Sequence, residues 1–154
     1  MMETKSNINY IKGDATSPVG PGTKIIVHVC NNVGAWGAGF TGALSKKWKD
    51  PEAVYRSINV QDLKLGSSTL VGVEDDIWVA NMIGQEGTIG MSERPPIRYT
   101  AVRQALLNIN TVAHRTNASI HMPRIGCGLA GGKWEEIQKI IEDVVSVDVY
   151  VYDL

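Results

Sequence analysis

Residues Ile25-Ile26-Val27-His28-Val29-Cys30 form an almost unbroken apolar run. A strand with one wet face alternates apolar and polar residues, so a run without alternation belongs to a strand covered on both faces. Such a strand needs helices on each side of its sheet. Other periodicities supply them: Phe40, Leu44 and Trp48 recur every four residues, Val102, Leu106, Ile109 and Ala113 mark one face of a long helix, and Trp134, Ile137, Ile141 and Val144 mark a last one. Asp50-Pro51 reads as an N-cap followed by proline at the first position of a short helix burying Val54, Tyr55 and Ile58. Further strands are expected at Ile8 to Lys12, around Thr69 to Val73 and Ile77 to Ile83, at Ser119 to Ile125, and where Val147, Val149 and Val151 alternate with Tyr150 and Tyr152. Glu74-Asp75-Asp76 joins the middle two as a hairpin, while residues 84–96, with three glycines and two prolines, read as an unusually long loop. Strands and helices intermixed around one hairpin predict a three-layer α/β/α sandwich with a central mixed β-sheet. The 154 residues suit a single domain spanning 1–154.

Charge narrows the choice of ligand. The formal net charge is -1, and Lys46-Lys47 is the only adjacent basic pair. A general nucleic-acid binder grips phosphates with a basic stripe, which is missing here. An anionic ligand would have to be held by backbone N–H groups instead. Cys30 and Cys127 are too few for a disulfide scaffold and match no zinc spacing, so no metal and no cofactor are expected. They read as free thiols of a reducing compartment. Met1 to Asn9 is polar, and no stretch approaches the ~18 apolar residues of a membrane span, so the expected location is cytoplasmic, with no membrane partner.

Three glycine-bearing turns each follow an expected strand: Gly13-Asp14-Ala15-Thr16, Gly34-Ala35-Trp36-Gly37-Ala38-Gly39-Phe40, and Gly126-Cys127-Gly128-Leu129-Ala130-Gly131-Gly132. Glycine lets backbone amides approach an anion, and a helix N-terminus favours negative charge. Two such turns side by side would cradle two phosphates. The spacing is not the Rossmann fingerprint, and the absence of a Gly-Lys-Ser/Thr sequence excludes a P-loop.

These turns resemble those of the macrodomains. Tyr10-Ile11-Lys12-Gly13-Asp14-Ala15 is similar to that family's opening strand and its adenine-contacting acid. His28-Val29-Cys30-Asn31 followed by Gly37-Ala38-Gly39-Phe40 resembles its first ligand loop. Met122-Pro123-Arg124-Ile125-Gly126-Cys127-Gly128-Leu129 with Trp134-Glu135 resembles its second, and Val149-Tyr150-Val151-Tyr152 its terminal strand. The pieces occur in the family's order and look most like the branch of yeast-type ADP-ribose-1''-phosphate phosphatases and terminal ADP-ribose glycohydrolases. The resemblance implies that ADP-ribose or a derivative is the ligand, free or attached to protein or nucleic acid. Asp14 would then accept from the adenine amine beside the Ala15 amide, and Asn31 would bond the distal ribose. Gly37, Ala38, Gly39 and Phe40 would line the distal ribose and phosphate, and Gly126, Cys127, Gly128, Leu129, Ala130 and Gly131 would line the diphosphate.

Several residues keep a second role open. Asp14 suits an Asx turn, Asn31 a strand-end cap, and Tyr152 either stacking near adenine or plain packing. Trp36 either walls the pocket or covers the core. His28, interrupting an apolar strand, is either a satisfied core histidine or, as the phosphatase branch implies, the group acting in phosphate removal. It ranks first among catalytic candidates, with Asn31 beside it. The chain also departs from the hydrolase patterns: His28 replaces a first asparagine, Thr41 an aspartate, Gln85 lies near a lysine position, and Ala130 replaces a second aspartate. Without that lysine there is no amine to open the ribose covalently. The resemblance therefore implies a metal-independent phosphatase, with ADP-ribosyl hydrolysis and non-catalytic recognition as the alternatives.

Overall fold

The computed structural model describes residues 7–37, 39–91 and 93–154, so Ala38 of the first ligand loop and the start of the polar N-terminal stretch lie outside the described residues. In chain order the elements are β1 (Ile8–Lys12), β2 (Lys24–Asn31), α1 (Phe40–Lys47), α2 (Asp50–Ser57), a 3-10 turn (Val60–Asp62), β3 (Ser68–Glu74), β4 (Ile77–Gln85), α3 (Tyr99–Thr116), β5 (Ser119–Met122), a 3-10 turn (Gly128–Ala130), α4 (Trp134–Val144) and β6 (Val149–Asp153). The sheet runs β1-β6-β5-β2-β4-β3. Of the strand pairs among the described residues, only β3 with β4 is antiparallel. The expected three-layer α/β/α sandwich with a mixed sheet is the fold.

Strand β2 is buried at seven of its eight positions, as a run covered from both sides requires. Its alternate side chains divide between two apolar layers. Ile25 and Val27 join Ala80, Met82, Ile120 and Val151 against Val102, Leu106 and Ile109 of α3 and Ile137 and Ile141 of α4. Ile26 and Val79 pack on Leu44 of α1, while Cys30 and Ile83 pack on Tyr55 of α2. His28 falls between Ile26 and Cys30 on that second face.

Several boundaries differ from expectation: β6 begins at Val149 rather than Val147, and α1 ends at Lys47 with Trp48 as its extended C-cap. Strand β5 stops at Met122 instead of reaching Ile125: Pro123 has no N–H for the ladder, and the Ile125 amide turns back to the Pro123 carbonyl at 2.8 Å. Helix α2 begins at Asp50, with Lys49 in the cap position and no side-chain cap, so Asp50 supplies first-turn charge rather than a cap. Strand β4 continues through Gly84 and Gln85, where a single bridge from Gln85 to Ile97 closes the long loop onto the sheet.

The topology then builds a crevice. Because β1, β2, β4, β5 and β6 run parallel, their carboxyl ends share one rim, from which the connections 13–23, 32–39, 86–98 and 123–133 rise. Neighbouring strands β2 and β5 send their chains to opposite faces, to α1 and to α4. Adjacent connections that diverge leave an opening between them, where α/β sheets bind ligands. Both of the longer glycine turns border it. No helix among the described residues is long and apolar enough to cross a membrane.

Candidate functional site

The loop after β2 is shaped by Asn31. Its Oδ1 accepts from the amides of Val33 and Ala35, each at 3.1 Å, and its Nδ2 donates to the Ala35 carbonyl at 2.7 Å. The Tyr55 hydroxyl lies 2.6 Å from the Asn31 carbonyl and 2.9 Å from Oδ1. Asn31 thus ends the strand as a cap and folds the turn that follows. Trp36 comes next, its ring edge-on to His28 at 5.4 Å and tilted on Tyr55 at 5.5 Å. Its indole N–H donates to Ser45 Oγ at 2.8 Å, and that hydroxyl donates to Glu52 at 2.8 Å. Arg56 and Ser45 hold the Glu52 carboxyl below its ordinary range. Trp36 therefore covers the core and ties the loop to both helices of that layer. Trp36→Phe trims the ring that packs on His28 and Tyr55 and loses its hydrogen bond to Ser45, so it should lower stability by about 2 kcal/mol, read from the urea midpoint at unchanged slope. Beyond Trp36, the Thr41 hydroxyl donates to the Gly37 carbonyl at 2.7 Å. Gly39 enters α1 at the rim with φ 75° and without a side-chain cap.

The loop after β5 is held from behind. Gly126 has φ 72°, and a Cβ there would meet Ile97 Cδ1 at 2.8 Å. Gly132 N–H donates to the Gly126 carbonyl at 2.8 Å, and Ile97 N–H to the Ala130 carbonyl at 3.1 Å. Gly128, Leu129 and Gly131 face solvent, Leu129 with 69% of its surface exposed, while Gly126 and Ala130 are buried and Cys127 is half-buried. Burial raises the Cys127 thiol pKa, so it stays protonated.

Two residues that sequence reasoning passed over organise the long loop 86–98. Asn32 Oδ1 accepts from the Gly87 amide at 2.8 Å, joining the loops after β2 and β4. Arg98 donates to Glu86 at 2.9 Å and to the carbonyls of Pro95 and Ile97 at 2.5 and 2.8 Å. The only sequence hint of Asn32 was its place beside Asn31; Arg98 had none, since bonds to the carbonyls of Pro95 and Ile97 and to Glu86 follow from how the loop folds back on itself, which no residue pattern marks. Glu86 is thereby engaged by Arg98.

At the other end of the rim, Asp14 Oδ1 accepts from Thr16 N and Thr16 Oγ1, both at 2.8 Å, in an Asx turn, while the residue remains exposed. Ala15 is buried beneath it. Lys47 reaches from α1 to the Thr16 carbonyl and, at 2.9 Å, to Ser17 Oγ. Asp14, Thr16, Ser17, Gly39, Gly42, Ala43, Lys46 and Lys47 line a cleft of about 750 Å³. Tyr152 is buried at the end of β6, its hydroxyl already bonded to the Val19 amide and to His121, so its face packs in the protein. Another crevice, of about 420 Å³, opens at the amino ends of β5 and β6, away from the glycine turns.

His28 lies under this wall, 2% exposed, with Trp36 at 5.4 Å and Phe40 at 5.9 Å. Asn81 Nδ2 donates to the Pro51 carbonyl at 3.0 Å, which turns its Oδ1 to His28 Nε2 at 2.6 Å. Nε2 therefore carries the proton. Burial lowers the His28 pKa to about 4, against a smaller opposing effect of Asn81, so the ring is neutral at pH 7. The structure thus brings Asp14, Ala15, Gly37, Gly39, Phe40 and Gly126 to Gly131 to one rim, and sets His28, Asn31 and Tyr152 in the layer supporting it. No group of three or more His, Cys, Asp or Glu among the described residues could hold a metal.

Together these features define an α/β sandwich with glycine-rich loops at the carboxyl ends of its parallel strands, at a switch point of the sheet. No protein-family model matches the chain. It is 44% identical to the solved structure of a macrodomain protein from Streptomyces coelicolor, with TM-score 0.82, covering 96% of this chain and 99% of that one. The chain belongs to the macrodomain family. A solved protein of unknown function from Bacteroides thetaiotaomicron is 52% identical, with TM-score 0.92 and coverage of 96% and 98%. Among curated proteins, an ADP-ribose 1''-phosphate phosphatase of Lodderomyces elongisporus is 26% identical, over 94% of this chain and 97% of its own length. A chromodomain-helicase-DNA-binding protein 1-like of Mus musculus is 30% identical over 96% of this chain, which spans only 18% of that protein.

Proposed function

We propose that the crevice binds ADP-ribose and that the chain removes the terminal phosphate of ADP-ribose 1''-phosphate without a metal. The carrying observation is the pair of glycine loops, 34–40 and 126–132, that face each other across the divergence of β2 and β5. Their amides, with the positive end of α1 beside them, suit a diphosphate. The Asp14 turn suits an adenine amine at one end, and Trp36 and Phe40 suit the distal ribose at the other. The likeness to the Lodderomyces phosphatase supports the finer substrate. In the reaction, water attacks phosphorus, the bond from phosphorus to the 1'' oxygen breaks, the proton given up by the water ends on that oxygen as the hydroxyl of ADP-ribose, and the loop amides stabilise charge on the phosphate oxygens. His28 supports Trp36 and Phe40 where that phosphate would lie.

Calorimetric titration with ADP-ribose, against AMP and NAD, is the first test. Micromolar affinity, roughly -8 kcal/mol, and clearly tighter binding than AMP are expected; no heat at millimolar ligand would refute the site. His28→Ala removes the ring that packs on Trp36 and Phe40, so phosphate release should fall at least tenfold and ADP-ribose affinity should fall with it. Release and affinity both unchanged in that folded variant would remove His28 from the support of the site.

A second reading is recognition of ADP-ribose without turnover. It is favoured by Thr41, Gln85 and Ala130 at the acid and amine positions, and by a buried, neutral His28. Tight binding with flat time courses on ADP-ribose 1''-phosphate and on ADP-ribosylated protein and DNA would establish it. Release of ADP-ribose from either macromolecule would instead make the chain an ADP-ribosyl hydrolase.

A further inference from the structure

Under the loop 13–23, Val19, Tyr152, His121 and Ser119 form an ordered chain of hydrogen bonds. The Val19 amide donates to Tyr152 Oη at 2.9 Å, that hydroxyl lies 2.7 Å from His121 Nδ1, and His121 Nε2 lies 2.7 Å from Ser119 Oγ. Since the hydroxyl already accepts from Val19, its own proton goes to Nδ1. Nε2 then carries the ring proton and donates to Ser119, and every group is satisfied. His121 is fully buried and stacked on Tyr150 at 4.9 Å, which fixes its ring plane.

Tyr152 meets the loop at two points. Its hydroxyl holds Val19, and its ring runs beneath Gly13, where a Cβ would come 3.6 Å from Cδ1. The Gly13 amide is anchored alongside on the Asp153 carbonyl at 2.8 Å. The Asx turn of Asp14 and Thr16 lies between these two points, with Lys47 holding it from α1. The height and tilt of that turn therefore depend on Tyr152, and the direction of the Tyr152 hydroxyl depends on His121.

We propose that His121, acting through Tyr152, is a positioning residue that sets where the Asp14 carboxylate meets the nucleotide base, and so sets preference for a purine bearing an exocyclic amine. This rests on the reading of the crevice as an ADP-ribose site. Tyr152→Phe removes one oxygen and keeps the ring, leaving the Val19 amide unpartnered. In the ligand-free variant, amides of residues 13–19 should exchange with solvent at least tenfold faster than in the parent, with those of β2 unchanged.

Titration should then compare ADP-ribose with its inosine counterpart, which has a carbonyl in place of the amine. The parent should favour ADP-ribose by about tenfold. In Tyr152→Phe and His121→Phe that ratio should fall toward one, with affinity for inorganic pyrophosphate retained. His121→Gln, whose amide oxygen can accept from the hydroxyl, should restore the ratio. A merely structural role would weaken both nucleotides equally and would not be rescued. Unchanged exchange and an unchanged ratio in Tyr152→Phe would overturn the proposal. If the parent binds no ADP-ribose, the crevice reading falls and takes the base assignment with it, while the exchange result still decides whether His121 and Tyr152 position the turn.

Discussion

Gly132→Ala is expected to lower stability by about 3 kcal/mol and to weaken ADP-ribose binding by at least tenfold. A Cβ at this position would lie 2.3 Å from the Gly126 carbonyl oxygen and 3.1 Å from its carbon. Both are backbone atoms, and that same oxygen accepts the Gly132 N–H at 2.8 Å. A flexible side chain could swing away, but a carbonyl inside a closed turn cannot. The turn must open, and the amides from Gly126 to Gly131 move with it. Urea unfolding and calorimetric titration of one preparation check both effects. Gly37→Ala is the stability control: a Cβ there meets nothing within 4 Å, so its midpoint should move by no more than about 0.5 kcal/mol. A Gly132→Ala protein with the parent's midpoint and affinity would show that the third turn is not the rigid element described here.

Acidification should unfold this protein earlier than its carboxylates alone would. Burial lowers the pKa of His28 to about 4; burial, with the nearby charge of Lys24 adding to it, does the same for His121. In the unfolded chain both titrate near 6.5. Below that value the unfolded state takes up protons that the native state refuses, so stability is complete above about pH 6.5 and falls steadily toward pH 4. The loss should reach roughly 3 kcal/mol for His28 as an upper figure, with a further contribution from His121. Asp153, paired with Arg124, and Glu52, held by Arg56 and Ser45, sit below their ordinary values, so their contributions disappear only at lower pH. Urea midpoints at pH 7, 5.5 and 4.5 would show the decline, and His28→Gln should make it shallower. Stability that stays flat from pH 7 to 4.5 would mean that neither histidine is held neutral by the fold.

The same two histidines show where reading the chain stops. Periodicity located β2, α3 and α4, because burial on both faces of a strand or along one stripe of a helix leaves a local pattern. Leu44, Leu106, Ile109, Ile137 and Ile141 are buried as that pattern requires. Boundaries were less legible. Pro123 ends β5 through a missing N–H, and whether Asp50 caps a helix or starts one depends on how Trp48 and Lys49 turn between α1 and α2.

The glycine turns were visible in the chain, and so was their order. Their meeting at one rim was not, because it follows from β2 and β5 becoming neighbours and sending their connections to opposite faces. The side chains around them divide in the same way. Asp14 and Asn31 sit where local spacing put them, each bonding amides two to four residues away. His28 could be read as core or as catalyst until Asn81, 53 residues on, lay opposite it in the sheet. The bond from Gly87 to Asn32 and the pairing of His121 with Tyr152 could not be read from the sequence, since the partners lie 55 and 31 residues apart. Local chemistry, the class of fold and the kind of loop are written in short-range pattern. Which nitrogen holds a proton, which carboxylate is occupied and which face of a ring is free are set by long-range packing, and only the tertiary structure decides them.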